Sequence, residues 1–213
     1  MVYLNTETRD SYNARKEHLR FVQKYYSLHH EDLKGLTPEV KFWASSCYTT
    51  FLANNAVAEA QWNTSIEAAI EEAKAFNCLE KSYLSLKTVA IELFEPNDKR
   101  FDKYSVLLPY PDSRDNQLTF IHHIVDEHEL NLRLHGKPDF PLSAIIQLKA
   151  AFNSAMKAHA TYTIVKEEAL IARKSFIQQW KLDSYYLTTQ SQWKLDGYEH
   201  QAVPLSVKHV LAA

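Results

Sequence analysis

Residues 38–94 decide the fold, and they read PEVKFWASSCYTTFLANNAVAEAQWNTSIEAAIEEAKAFNCLEKSYLSLKTVAIELF. After Pro38 the stretch contains no proline and no glycine, the residues that interrupt helices most strongly. Its apolar side chains recur mostly at intervals of three and four, the period of a helix with one buried face. The pattern predicts a long helical element. The periodic positions are Val40, Trp43, Cys47, Phe51, Ala58, Trp62, Ile66, Ala69, Ala73, Phe76, Leu79, Tyr83, Leu86, Ala90 and Leu93.

This element has two interpretations. The apolar period continues through Trp62 and Ile66, which favours one helix about 85 Å long at 1.5 Å per residue. The residues Thr64-Ser65-Ile66-Glu67 nevertheless fit a capping box, which begins a new helix. A hairpin turning just before this motif would bring Cys47 and Cys78 together, whereas one straight helix would hold them about 45 Å apart. Only the hairpin would allow a redox pair, and even there we expect buried free thiols.

Helix-breaking residues recur about one hundred residues apart. Gly35 and Pro38 mark the end of one helix and the beginning of the next, and Gly136 and Pro138 have the same arrangement. An irregular stretch begins near residue 96, and its counterpart begins near residue 196. Between residues 38 and 88, ten of 51 residues are identical to the residue one hundred positions later. These matches predict an internal duplication.

The duplication predicts an all-α fold: an internally duplicated helical bundle of two units related by a pseudo-twofold axis. Each unit would contain a shorter helix followed by a long helix or a helical hairpin. Three glycines in 213 residues are too few for a fold built on tight β-turns. The predicted helical ranges are 8–32, 38–94, 115–134 and 141–195. The predicted boundaries are 1–95 for unit one, 96–114 for an irregular linker and 115–213 for unit two, packed as one domain.

Composition and charge argue against several functional classes. The formal net charge of −2 provides no basic surface to attract nucleic acid. The sequence contains no run of 18 apolar residues, the length needed to cross a membrane. Residues 1–7 lack the basic and apolar regions of a signal peptide. Two cysteines are too few for a disulfide scaffold. We therefore expect a cytoplasmic protein that binds no nucleic acid and does not insert into membranes.

A cluster of histidines and acids lies on the helix predicted over 115–134. His122 and Asp126 are four residues apart, as are His123 and Glu127, so each pair shares a helix face and could hold a divalent metal ion. A closed site would need further ligands from another helix. The alternative is a solvated face with histidine–carboxylate pairs. No glutamate has a histidine three residues later, which argues against a di-iron bundle.

The predicted duplication also predicts a contact between two polar residues. Glu59 corresponds to His159 when the chain is shifted by one hundred residues. Packing about a pseudo-twofold axis would bring the two side chains together between the units. The alternative is a polar rim exposed to solvent, because burying such charges without partners costs several kcal/mol.

Aromatic residues are numerous, with twelve tyrosines and four tryptophans. In a doublet of neighbouring tyrosines, at most one ring points squarely at the core, so the other lies at a flank or on the surface. Tyrosine and tryptophan are enriched at protein interfaces. The predicted interface residues are Tyr25, Tyr26, Tyr185, Tyr186 and Trp193.

The sequence contains neither a Gly-x-Ser-x-Gly nucleophile motif nor a Cys-x-x-Cys motif, and it predicts no catalytic residue. The first functional hypothesis is a non-enzymatic helical scaffold or assembly protein. It would bind another protein or a second copy through exposed helix faces and aromatic anchors. The alternative is a helical bundle that binds a metal or small ligand through its histidine–carboxylate cluster. A small-molecule enzyme with a pocket between the two units is a third hypothesis.

Overall fold

The computed structural model of the protein describes residues 6–95, 98–104, 107–136, 142–189 and 194–195. Within these residues the fold is all-α, as predicted, apart from one antiparallel pair of two-residue strands in which Leu33 pairs with Leu195. In chain order the elements are α1 (Thr6–His29), β1 (Leu33–Lys34), α2 (Pro38–Leu93), α3 (Lys99–Lys103), α4 (Arg114–His135), α5 (Leu142–Thr189) and β2 (Lys194–Leu195).

Helix α2 is one continuous helix of 56 residues, which decides between the two interpretations of its sequence. The capping-box motif at 64–67 lies inside the helix, where the absence of proline and glycine lets the helical hydrogen bonds continue. The hairpin interpretation is therefore wrong. Cys47 and Cys78 lie 31 positions apart on this one helix, and both are free thiols.

The helix ends agree with the predicted breakers in part. Gly136 adopts a left-handed conformation (φ 63°) directly after α4, and its N–H donates to the carbonyl of Leu132. Such a glycine ends a helix without the strain that a Cβ atom would cause. Gly35 is also left-handed (φ 79°), but α1 already ends at His29, because a turn and β1 come between them. Pro138 lies outside the described residues.

The stretch 96–114 is less irregular than predicted. It contains α3, where Asp98 caps the helix by accepting a hydrogen bond from the backbone N–H of Arg100. Tyr104 follows α3 and is completely buried. Phe101 and Tyr104 are thus part of a core, because their burial outweighs the cost of ordering a short helix, whereas Leu107 and Leu108 are each 54% exposed.

The chain forms two compact units by its contacts, and each is described by itself. Unit 1 comprises residues 1–63 and 168–213, and unit 2 comprises residues 64–167. These limits differ from the boundaries at 95 and 115 that the breakers predict, since each unit takes one half of α2 and one half of α5. Whether the sequence boundaries mark an ancestral repeat stays a prediction.

Each unit has its own hydrophobic core. In unit 1, α1 packs against the first half of α2 and the second half of α5. Its buried apolar residues are Tyr12, Leu19, Val22, Leu33, Trp43, Ala44, Cys47, Phe51 and Leu187. In unit 2, α4 packs against the second half of α2 and the first half of α5. Its buried apolar residues are Phe76, Leu79, Tyr83, Leu86, Ala90, Phe101, Tyr104, Ile121, Ile124, Val125, Ile145, Leu148, Ala151, Phe152 and Ala155.

The apolar spacing of α2 correctly identifies its buried face in each of the two cores. In the segment between the two cores, however, it predicts buried residues where none is found. No residue of α2 from Leu52 to Thr64 is buried, and Trp62 is 38% exposed. Periodicity reports which residues share a face, whereas burial also requires a neighbouring helix to cover that face. Across the described ranges, no helix combines the length and the apolar character needed to cross a membrane.

Asn63, which is exposed on α2, tests whether this helix is continuous. We expect Asn63→Pro to lower the free energy of unfolding by about 3 kcal/mol, because proline removes a helical hydrogen bond and clashes with the preceding turn. The matched control Asn63→Ala should be neutral or slightly stabilising. Urea unfolding followed by circular dichroism measures both. Equal stability of the two variants would show that a turn exists here.

Candidate functional site

Asp183 on α5 is a fully buried acid in unit 1. Its Oδ1 accepts hydrogen bonds from the indole Nε1 of Trp43 (2.9 Å) and from the side-chain amide of Gln179 (2.8 Å). Within the described ranges, its Oδ2 has no hydrogen-bond partner. Desolvation raises the pKa of Asp183, although the two hydrogen bonds and the charge of Arg15 oppose that effect. The carboxyl group is thus held in an environment that disfavours its charged form.

Arg15 connects α1 to the same part of α5. Its Nη1 donates to the hydroxyl of Ser184 (2.6 Å) and to the carbonyl of Trp180 (3.3 Å). The guanidinium carbon also lies 4.4 Å from the centre of the Trp180 ring, a cation–π contact. Desolvation lowers the pKa of Arg15, and the charge of Asp183 opposes this change. Through these contacts the polar residues of unit 1 join α1, α2 and α5.

A groove of about 480 Å³ lies on the surface of unit 1 beside these residues, a volume in the range of small-molecule sites. Its lining includes Cys47, which is 1% exposed. Desolvation, and secondarily the charge of Asp183, raise the pKa of this thiol to about 12, so no nucleophilic thiolate forms there at neutral pH. The lining residues are Pro38, Glu39, Phe42, Trp43, Ser46, Cys47, Thr50, Gln179, Leu182 and Tyr186.

Unit 2 contains a second polar cluster, centred on His159 of α5. Its Nδ1 lies 2.6 Å from Oε1 of Glu72 on α2, and its Nε2 lies 3.1 Å from Oδ1 of Asp115 on α4. Phe76 meets the imidazole ring edge-on, and the guanidinium of Arg114 lies 4.4 Å from the centre of that same phenylalanine ring. Both ring nitrogens of a protonated His159 can donate to carboxylates, so this cluster joins three helices.

The partners of His159 differ from the partner that the one-hundred-residue shift predicts. Glu72 and Asp115 face its two ring nitrogens, whereas the prediction names Glu59. Glu59 is exposed on α2, where its charge adds to the desolvation that raises the pKa of Tyr12. The pairing of Glu59 with His159 stays a prediction.

The histidine–acid cluster of α4 is exposed. His122 Nδ1 and Asp126 Oδ2 are 3.1 Å apart, and their side chains are 59% and 58% exposed. His123 is exposed, and Glu127 is half-buried on the next turn. In the part of the chain that the structure describes, no group of three or more histidine, cysteine, aspartate or glutamate side chains could hold a metal ion. His122 and Asp126 thus lie within hydrogen-bonding distance on an exposed face, and the metal site stays a prediction.

The predicted aromatic anchors occupy different environments. Tyr186 stacks on Trp43 with ring centroids 5.1 Å apart, whereas its neighbour Tyr185 is 65% exposed, as expected for a doublet on a helix. Tyr25 and Tyr26 are both half-buried and pack against the core of unit 1. Trp193 lies outside the described residues. Of the described anchors, Tyr185 is the one with the most exposed ring.

Helix α5 carries large apolar side chains on the side away from its core. At 100° per residue, seven of the nine that are more than a third exposed fall within an arc of about 80°, opposite the face that holds Leu148 and Ala155, whereas Leu170 and Ile177 lie outside this arc. The exposed fractions are substantial, for example 59% for Ile164 and 58% for Ile171. We call this set the outer face of α5. It consists of Leu142, Ile146, Met156 and Ile164 in unit 2, and of Ile171, Leu182 and Tyr185 in unit 1.

The exposed apolar residues of α2 have a different distribution. Trp62, Ile70, Leu84 and Ile91 are all more than a third exposed and lie within an arc of about 80°, whereas Phe42 and Val57 point in other directions. Scattered apolar residues are normal on a protein surface, whereas an aligned set indicates an interaction. The aligned set on α5 has seven residues and the one on α2 has four, so the outer face of α5 is the strongest candidate for a functional surface.

Asp183 and Glu72 were not predicted to be buried polar groups, although their positions in the sequence contain a signal. Both occur where the three-and-four spacing of a core-facing series requires an apolar residue. Glu72 lies between Ala69 and Phe76, and Asp183 lies between Trp180 and Leu187. An acid in such a series must find a partner on another helix, because an unpaired buried charge is strongly destabilising.

Comparison with known proteins adds no assignment, since no family model, no curated protein and no solved structure matches the chain. The function is therefore inferred from the residues and geometry described above.

Replacing Asp183 by asparagine tests the effect of its buried charge. A carboxyl group whose folded-state pKa is raised contributes stability below its unfolded pKa and loses that contribution as the pH rises through the folded pKa. We therefore expect the stability of Asp183→Asn relative to wild type to increase as the pH rises above about 4, the pKa of an unperturbed aspartate. Urea unfolding across this range measures the difference. The exposed control Asp32→Asn should show no such increase. A stability difference between Asp183→Asn and wild type that does not change with pH would contradict the prediction that a buried charge at Asp183 destabilises the fold.

The two cysteines should differ in reactivity. Cys47 is buried and its pKa is raised to about 12, whereas Cys78 is exposed. At about pH 8 we expect a chromogenic disulfide reagent to label one thiol rapidly in the native protein and two after denaturation. Cys78→Ser should abolish the rapid phase, and Cys47→Ser should leave it intact. Rapid labelling of both thiols in the native protein would contradict the burial of Cys47.

Proposed function

We propose that this protein is a non-enzymatic helical interaction protein that binds its partner through the outer face of α5. One observation carries the proposal: α5 is apolar both on the face that packs in the two cores and on the opposite, exposed face. A helix with apolar residues on all sides is normally covered on all sides. The outer face is not covered by the part of the chain that the structure describes, which favours a partner.

The energetics support a binding role for this face. Burying one large aliphatic side chain contributes about 1.5–3 kcal/mol. Ile146, Ile164 and Ile171 are each more than half exposed, so much of that contribution is unused within the chain. A partner helix that lies along α5 would bury these side chains in the manner of other amphipathic helix complexes. The cost of ordering is low, because α5 is already helical.

The remaining observations favour this function over catalysis or metal binding. The buried thiol of Cys47 has a raised pKa, and the clusters around Asp183 and His159 join helices to one another. His122 and Asp126 are paired with each other on an exposed face. These are the properties of groups that stabilise a helical scaffold, and they leave the exposed apolar face as the surface available for a partner.

We also infer that the two units derive from an internal duplication, with a register that differs from the one-hundred-residue shift. Each unit combines one shorter helix, the first half of one long helix and the second half of the other. Burial along α2 matches burial along α5 best at a shift of 104 residues. The buried pairs at this shift include Ala44 with Leu148, Cys47 with Ala151, Phe51 with Ala155, Ser65 with Ala169 and Tyr83 with Leu187.

The unit limits support the same register, since residues 64 and 168 are also 104 positions apart. The ten identities at a shift of one hundred are then about one helical turn out of register. Alanine-rich helices produce such matches readily, so the common burial pattern supports the duplication better than the identities do.

Photo-crosslinking tests the proposed binding surface. A photoreactive amino acid would replace Ile164 or Ile171 on the outer face, and Leu84 or Ile91 of α2 would serve as controls of similar exposure. In cells that naturally produce the protein, we expect crosslinked protein adducts from the α5 positions at several times the yield from the α2 positions. Equal yields, or no adduct at either α5 position, would contradict the proposal.

A further inference from the structure

We propose that the partner of the outer face is an amphipathic helix that lies in a groove of unit 1 between α2 and α5, with lysine or arginine residues near both of its ends. This inference rests on the proposed function, because Ile171 and Leu182 of the outer face also line the groove. It adds a second wall to the binding site and assigns a charge to the partner.

Two cavities of unit 1 follow one another along α2 and α5. The first, of about 480 Å³, lies between residues 38–50 of α2 and 179–186 of α5, and the second, of about 360 Å³, lies between residues 54–61 and 168–175. We call them together the α2–α5 groove, which extends over about 33 Å at 1.5 Å per residue. The lining residues recur at intervals of three and four, so each helix contributes one continuous side. They include Glu39, Trp43, Ser46, Thr50, Asn54, Val57 and Gln61 of α2, and Glu168, Ala172, Ser175, Gln179, Leu182 and Tyr186 of α5.

The short helix α1 packs on the opposite side of the same two helices. It forms hydrogen bonds to Tyr48 of α2 and to Ser184 of α5. These two residues lie about 140–180° around their helices from Val57 and Ile171, which line the groove. A partner helix in the groove would therefore add a fourth helix on the side that α1 leaves open. It would cover only one side of the α2 segment 52–64, and the other side would stay exposed.

Apolar residues form two zones of the groove. Phe42 and Leu182 line the first cavity, Val57 and Ile171 line the second, and all four side chains are more than a third exposed. A partner that buries them would use apolar surface that the described part of the chain leaves uncovered. The residues between the two zones are polar but uncharged, so the partner should carry two apolar clusters about four turns apart with uncharged polar residues between them. These central residues are Thr50, Asn54, Ser175 and Gln179.

The charged residues that line the groove are both acidic. Glu39 lies at one end and Glu168 at the other, and among the described residues no lysine or arginine lines either cavity. A side-chain hydrogen bond holds the pKa of Glu39 below its usual value, so its carboxylate is ionised at neutral pH. Lys174 and Lys181 point about 60–80° away from Ile171, on the side of α5 remote from α2. The two carboxylates thus complement basic residues at both ends of a partner helix and would repel acidic ones.

Two synthetic peptides test this chemistry. Each would form a helix of about 24 residues, the length of the groove, with two leucine clusters separated by glutamines. One peptide carries lysines at both ends, and the other carries glutamates. Fluorescence anisotropy with the full chain measures their affinities, and we expect the lysine peptide to bind at least about 10-fold more tightly. Equal affinities, or no binding of the lysine peptide at micromolar concentrations, would overturn the proposal.

Charge exchange at Glu168 tests where the peptide binds. Glu168→Lys should weaken binding of the lysine peptide about 10-fold. The same variant should bind a peptide with lysines at one end and glutamates at the other more tightly than wild type does, which a misfolded protein could not do. Both orders of the ends would be made, so that either direction of the helix is covered. The control Glu31→Lys, at an exposed position that does not line the groove, should change neither affinity, whereas an unchanged affinity in Glu168→Lys would overturn the placement.

Photo-crosslinking at Val57 separates this inference from the proposed function. Val57 and Ile171 belong to the two walls of the groove and are 55% and 58% exposed. In cells that naturally produce the protein, we expect both positions to crosslink the same partner, at a segment that mass spectrometry identifies as amphipathic with basic ends. Adducts from Ile171 without adducts from Val57 would overturn the groove but leave the proposed function standing. Absence of adducts from both Ile164 and Ile171 would contradict the proposed function itself.

Discussion

The fold depends on two helices that continue without interruption from one hydrophobic core to another. α2 and α5 each contribute one half to unit 1 and the other half to unit 2, so each must present a buried face twice. The interior of α2 accordingly contains neither proline nor glycine. Phe51 and Phe76 are both buried although they belong to different cores. The shorter helices α1 and α4 then complete the two units.

The two buried acids of these helices have similar structural roles. Asp183 of α5 accepts hydrogen bonds from Trp43 of α2, and Glu72 of α2 pairs with His159 of α5. In each case an acid on one long helix bonds a residue on the other. Such contacts add directional selectivity to apolar packing, because a shift of either helix would leave a buried acid without its partner. We infer that these acids specify how α2 and α5 pair within each unit.

Much of this fold could be predicted from local sequence features. The spacing of Trp43, Cys47 and Phe51 identifies a buried helical face, and Gly136 marks the end of α4, because both features act over a few residues. The continuity of α2 was harder to predict, since a capping box at Thr64 is locally compatible with a helix start. The partners of His159 could not be predicted, because Glu72 and Asp115 approach it from two other helices, far away along the chain.

Local sequence features are also insufficient to predict the candidate surface. The sequence predicts aromatic residues as anchors, and Tyr185 does lie on the outer face of α5. The aliphatic residues of that face were not selected, because α5 has apolar residues all around and its periodicity does not reveal which side is buried. Only the positions of Leu148, Phe152 and Ala155 in the core of unit 2 identify Ile146 and Ile164 as exposed.

The absence of buried residues in the middle of α2 has a consequence for sequence variation among related chains. From Leu52 to Thr64 this segment contributes no buried side chain, yet it must remain helical for the residues on either side to reach their cores. Selection would then act on helix propensity and on the number of residues in the segment, and only weakly on their identities. Related chains should therefore vary in composition most freely in the middle of a regular helix, whereas in most proteins such variation is concentrated in loops.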